Sequence, residues 1–140
     1  VVTPNLDEAA LLLGHSIDGI GALDAAASEV LALGARTALL KGGHLPGMEV
    51  VDVLALSGGV FHRFASTRIS SRNLHGTGCT LSSAIAAHLA LGHVLPDAVA
   101  LARTYVLGAM QAGAGVVVGQ GHGPLNHGFA PVPTVTVRAG

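Results

Sequence analysis

The run His75-Gly-Thr-Gly-Cys79 joins a polar stretch to the alanine-rich "TLSSAIAAHLALG" and carries the only cysteine of the chain. Gly76 and Gly78 let the backbone turn tightly and approach a ligand closely. If the residues that follow coil into a helix, several unpaired backbone N–H groups and the positive end of the helix dipole point into one small volume. That volume suits an anion, and a transferring phosphoryl group has the right charge. The same N–H groups would stabilise the thiolate of Cys79 in the first helical turn. Such a thiolate can take the proton of a substrate hydroxyl as it attacks a phosphate. Two other readings of Cys79 stay open: a small buried hydrophobe beside a plain turn, or a nucleophile with His75 as its base. Metal binding by His75 with Cys79, or by His122 with His127, lacks further ligands at zinc spacing.

Lys41 ends the short apolar run "RTALLKGGH", which two glycines stop. This reads as a buried strand with a loop at its carboxyl end, where open α/β sheets bind ligands. In "TPNLDEA", Asn5 and Glu8 have capping-box spacing, with Asp7 and Glu8 in the first turn of a helix that Gly14 ends. Arg63, Arg68 and Arg72 read as solvated edge-strand charges, one of which could reach a phosphate. His44, His122 and His127 fall in polar glycine-rich loops and are expected to be exposed.

The elements that must hold these residues follow in order. A second helix is expected over 21–33, and "VVDVLAL", "SGG" and "VFHRFAS" make a strand, turn and strand. "RISSRN" reads as one more short strand, followed by helices over 80–91 and 97–112. "VVVGQ" is a small strand, and a Gly/Pro-rich loop and tail close the chain. This order suggests the second half of an open α/β sheet.

A length of 140 residues fits one domain. Half the residues are hydrophobic and only 11% charged, so most helices must be buried against a sheet. A net charge of -1 without a Lys/Arg cluster argues against a nucleic-acid partner. Apolar runs break well short of the ~20 residues of a membrane span. A single cysteine and no signal-peptide pattern fit a reducing cytoplasm. The opening "VVTPN" reads as the end of a buried strand, so an amino-terminal portion is expected to lie outside this sequence. The sheet edge left exposed would call for a partner chain, a homodimer being one option.

"TPNLDEA", "LLKGGH", "HGTGCTLSSAIAAHLA" and "GHGPLNH", in this order, resemble the carboxyl half of the hydroxymethylpyrimidine and phosphomethylpyrimidine kinases of thiamin biosynthesis. These belong to the ribokinase-like superfamily, whose sugar kinases usually have Asp where Cys79 stands. The resemblance covers residues 1–129 and leaves 130–140 as a tail without counterpart. It implies an α/β/α sandwich with a β-hairpin. It also implies ATP- and Mg2+-dependent phosphorylation of 4-amino-5-hydroxymethyl-2-methylpyrimidine and then of its monophosphate. By this likeness Gly76, Thr77, Gly78 and Cys79 form an anion hole with Cys79 as base, and Lys41 lies near the phosphates. Asn5 and Glu8 match a motif that organises magnesium and ATP, although Glu8 equally well completes a helix cap. Leu74 departs from the small polar residue common at its position. The amino half of the family, with most of the pyrimidine pocket, has no counterpart here. Pyridoxal kinase of the same branch and a non-catalytic nucleotide-binding fragment are the alternatives.

Overall fold

The computed structural model describes residues 1–117 and 119–131. The capping box forms as its spacing predicts: the Asn5 side chain accepts the Glu8 N–H at 2.8 Å, and the Glu8 carboxylate accepts the Asn5 N–H at 2.7 Å. It opens α1 (Leu6–Leu13), which Gly14 ends in the left-handed conformation. A 3-10 turn at Ile20–Ala22 leads into α2 (Leu23–Ala32) and then β1 (Thr37–Lys41). Residues 1–5 lie parallel to β1, with Leu39 N–H donating to the Val2 carbonyl and Lys41 N–H to that of Pro4. A parallel pair needs a crossover, and α1 with α2 provides it.

β2 (Glu49–Leu56) and β3 (Val60–Thr67) form the expected hairpin, and β2 pairs antiparallel with both neighbours. Side chains alternate across a sheet with period two. Ala38 and Leu40 of β1, with Val51, Val53 and Ala55 of β2, therefore pack under α2 against Leu23, Ala26, Ala27 and Val30. Leu39 and Leu54 point the other way and meet Leu81, Ile85, Val99, Ala102 and Val106 of α3 (Thr77–Ala90) and α4 (Leu95–Gly113). The result is the α/β/α sandwich. No helix among the described residues is long and apolar enough to cross a membrane.

Several elements differ from expectation. α3 starts at Thr77 rather than Thr80, because the turn into it is completed at Gly76, whose φ of +88° a side chain would oppose. α4 starts at Leu95, with Pro96 in the first turn, where its missing N–H leaves no helical bond unmade. Residues 68–73 form an irregular connection instead of a strand. Val116 and Val117 are likewise not in a strand, while Val118 and the tail residues 132–140 lie outside the described residues.

Candidate active site

Lys41 shares a face of β1 with Leu39 and so projects toward α3 rather than α2. Its ammonium reaches the first turn of that helix: a Cβ on Gly78 would lie 3.3 Å from Lys41 Nζ. No side chain caps α3. Thr77 N–H makes a long bond of 3.3 Å to the Leu74 carbonyl, whereas the amides of Gly78 and Cys79 have no backbone acceptor among the described residues. A lysine and the positive end of a helix dipole thus converge without a carboxylate partner for Lys41 among the described residues. Such an arrangement repels itself until an anion enters. The space before it is a cleft of about 320 Å3, lined by Asn5, Lys41, Thr77 and Gly78 and also by apolar side chains such as Val106 and Met110.

Cys79 occupies the same helical turn but lines a different hollow, a groove of about 490 Å3 shared with Ser83, His88, Tyr105 and His127. Its side chain is exposed, which removes the buried-hydrophobe reading. His75 is exposed as well, lines neither hollow and makes no hydrogen bond to Cys79 among the described residues. Glu8 and Gly76 border neither hollow. No group of three or more metal-ligating side chains occurs among the described residues. His44 is exposed as expected and bonds Asp7 at 2.7 Å.

Arg63 is exposed on the edge strand β3 as expected and Arg72 is exposed in the connection that follows, but Arg68 requires correction. Arg68 is not a solvated charge: its guanidinium donates to the carbonyls of Gly47 at 2.7 Å, Gly43 at 2.8 Å and Leu45. Arg63 pairs with Asp24 at 2.8 Å, and Arg72 donates to the Gln120 carbonyl at 3.2 Å.

Three residues important to this layout escape a motif search. Asp52, 6% exposed, accepts from the Gly42 N–H at 2.9 Å and pairs with Arg103, 8% exposed. Burial pulls the Arg103 guanidinium below its usual pKa. Arg103 also donates to Ser66 Oγ at 3.1 Å and lies over the Phe64 ring. The signal was one acid in the apolar run of β2 and one base in the apolar face of α4, since buried charges must be paired. Asn73 is the third: buried just before the glycine loop, it donates to the Gly113 and Val116 carbonyls at 2.6 and 2.7 Å. Its amide ties the loop to the end of α4.

An ammonium and a helix N-terminus converge at the carboxyl end of a strand, a geometry suited to an anion, and the α/β/α sandwich is that of the ribokinase-like kinases. The chain belongs to the phosphomethylpyrimidine kinase family, whose family model matches residues 1–126. It is 49% identical to a hydroxymethylpyrimidine/phosphomethylpyrimidine kinase of Streptomyces coelicolor, covering 93% of this chain and 47% of the relative. It is 48% identical to the thiamine biosynthesis bifunctional protein ThiED of Geobacter sulfurreducens, covering 91% of this chain and 25% of that protein. Among solved structures, the ADP complex of Bacillus subtilis pyridoxal kinase superposes with a TM-score of 0.82 at 32% identity, covering 91% of this chain and 47% of the other. The chain therefore spans about half, or less, of the length of these relatives.

Proposed function

We propose that this chain forms the phosphate-handling half of an ATP-dependent kinase that phosphorylates hydroxymethylpyrimidine and its monophosphate. The observation that carries this reading is the Lys41 ammonium lying against Gly78 in the uncapped first turn of α3. In the cleft, Lys41 and the free amide of Gly78 hold the phosphates. Asn5 and Thr77 border the same space. Fixed donors of this kind stabilise charge as it shifts from the attacking oxygen to the leaving phosphate.

Cys79 stands on the other flank of the turn, facing the groove. For the Cys79 sulfur to take the alcohol's proton, the alcohol must reach the α3 turn between groove and cleft. The alcohol oxygen then bonds to the γ-phosphorus as the bond to the ADP oxygen breaks. A nucleotide-borne Mg2+ needs only one or two protein oxygens. Magnesium bound with the nucleotide would neutralise phosphate charge. The Glu8 carboxylate caps α1 with one oxygen and borders neither hollow, so it does not fit a ligand for that ion within the cleft.

Identity favours the pyrimidine over the pyridoxal ring as acceptor, at 49% to the pyrimidine kinase against 32% to the pyridoxal kinase. The test is ATP consumption with each alcohol, by this chain and by a version extended to the length of its relatives. The expected result is nucleotide binding by both proteins and turnover of the pyrimidine alcohol by the longer one. Failure of both to bind ATP would refute the reading, and faster turnover of pyridoxal would reassign the substrate. Normal turnover in the longer protein carrying Cys79→Ala would remove Cys79 as the base.

A further inference from the structure

The loop from Gly42 to Gly47 follows Lys41 and helps wall the cleft, yet it has little backbone bonding of its own. Leu45 N–H donates to the Gly42 carbonyl at 3.1 Å, and the side chain of Leu45 is buried under α2. Alternate carbonyls of the loop, at residues 43, 45 and 47, converge on the guanidinium of Arg68, the first residue after β3. The Arg68 N–H also donates to the Met48 carbonyl at 2.7 Å, which fixes the base of the arginine. A planar guanidinium offers donors in several directions at once, which a lysine ammonium on its flexible stem cannot match over three separated carbonyls.

The other end of the loop is held by Asp52, whose carboxylate accepts the Gly42 N–H. Only glycine fits this close, because a Cβ at residue 42 would fall 2.0 Å from the Val51 carbonyl oxygen. Arg68 also begins the irregular connection that leads to the glycine loop. One side chain therefore joins the two segments that bring Lys41 and the amides of α3 to the cleft.

We propose that Arg68 is a positioning residue, which folds the 42–47 loop into the wall of the cleft and sets nucleotide affinity through loop shape rather than by meeting a phosphate. This rests on the nucleotide reading above. Arg68 itself lines the cleft, so the rival role for the same residue is that of a plain cation beside the phosphates.

Arg68→Lys and Arg68→Met separate the two roles, since the first keeps the charge and both lose the fork. ATP binding is titrated for each variant of this chain, and amide hydrogen exchange is followed across 42–48, with the central amides of β2 as the folding control. The expected result is loop exchange faster by about tenfold in both variants, with β2 unaltered. ATP affinity falls by a similar factor, about tenfold, in both. Lys41→Met, measured alongside, weakens ATP binding but leaves loop exchange at the wild-type rate. Wild-type affinity in Arg68→Lys with a loss only in Arg68→Met would overturn the proposal in favour of the cation. Unchanged loop exchange in both variants would also overturn it. A wild-type chain that binds no ATP would refute the nucleotide reading, while the exchange rates would still decide whether Arg68 holds the loop.

Discussion

Beneath α2, Leu23, Ala26, Ala27 and Val30 close over five apolar strand residues, and the space is filled. On the opposite face, Leu39 and Leu54 meet a smaller core, and the rest of that layer is given over to a cleft, a groove and charge. The buried polar side chains of the described residues, Asp52, Asn73 and Arg103, all bond within that second layer or to the loops it supports. One sheet thus carries a closed apolar face and a face that holds a cleft and buried charge. The period-two alternation of β1 and β2 separates them residue by residue: Leu40 faces the first, and Leu39 and Lys41 the second.

The sharpest way to break the comparison is to remove charge from the second face. Asp52→Ala leaves Arg103 buried without its partner and should destabilise the chain by about 3–5 kcal/mol, read from the denaturant midpoint. Replacing both, as Asp52→Leu with Arg103→Met, should restore most of that stability. ATP affinity should stay low in the double variant, because the Gly42 N–H still lacks its acceptor. If affinity recovered together with stability, the ion pair would be mere filling and the distinction between the faces would fail.

Leu23→Ala tests the first face. It opens a cavity under α2 and should destabilise the chain by about 2–5 kcal/mol. ATP affinity, measured well below the melting temperature, should not change. A matching loss of affinity would show that the first face also shapes the cleft.

Much of this division can be read in the sequence. The Asn5–Glu8 box, the apolar stripe of α2 and the hairpin around Ser57-Gly-Gly59 depend on neighbours within a few residues, and local rules place them correctly. Glycines obscured the start of α3: "HGTGC" has the composition of a loop, yet the left-handed Gly76 completes the turn and the helix opens at Thr77. Arg68 was misjudged for a related reason. Its partners are backbone carbonyls, which have no residue type to recognise. "RISSRN" stays irregular because its ends are tied elsewhere, Arg68 to the carbonyls of the 43–47 loop and Asn73 to the end of α4. At the site, Asn5, Lys41, Thr77 and Gly78, which the family likeness and not their spacing had grouped, border one cleft. Only packing could show that Cys79, one residue on, faces the neighbouring groove.

Lys41→Met is the narrower test of the second face. Removing a charge-assisted bond of about 1.5–3 kcal/mol should weaken ATP binding by about 10- to 150-fold. Because the ammonium has no carboxylate partner among the described residues, the variant should unfold at the wild-type midpoint or slightly above it. A large loss of stability would mean that Lys41 holds the fold rather than a ligand.

The smallest effect belongs to the rim of the first face, where His15 links the end of α1 to α2. Its ring bonds the Ser16 carbonyl at 3.0 Å and the Glu29 carboxylate at 2.8 Å. The Ser16 carbonyl first, and then Glu29, raise the His15 pKa above 6.5, and slight desolvation opposes them. A pKa raised by folding means that the folded chain holds the proton more tightly than the unfolded chain. The stabilisation is therefore complete below about pH 6.5 and is lost as the pH rises through the folded-state value. Both partners are half exposed, so the change should be small and should shrink further in salt. His15→Gln should flatten this part of the pH–stability curve, and ATP affinity should not follow it. If the slope persists in His15→Gln, the proton responsible lies elsewhere. If ATP affinity instead tracks the His15 titration, a surface pair on the closed face is coupled to the cleft, and the sheet insulates its two sides less well than its packing implies.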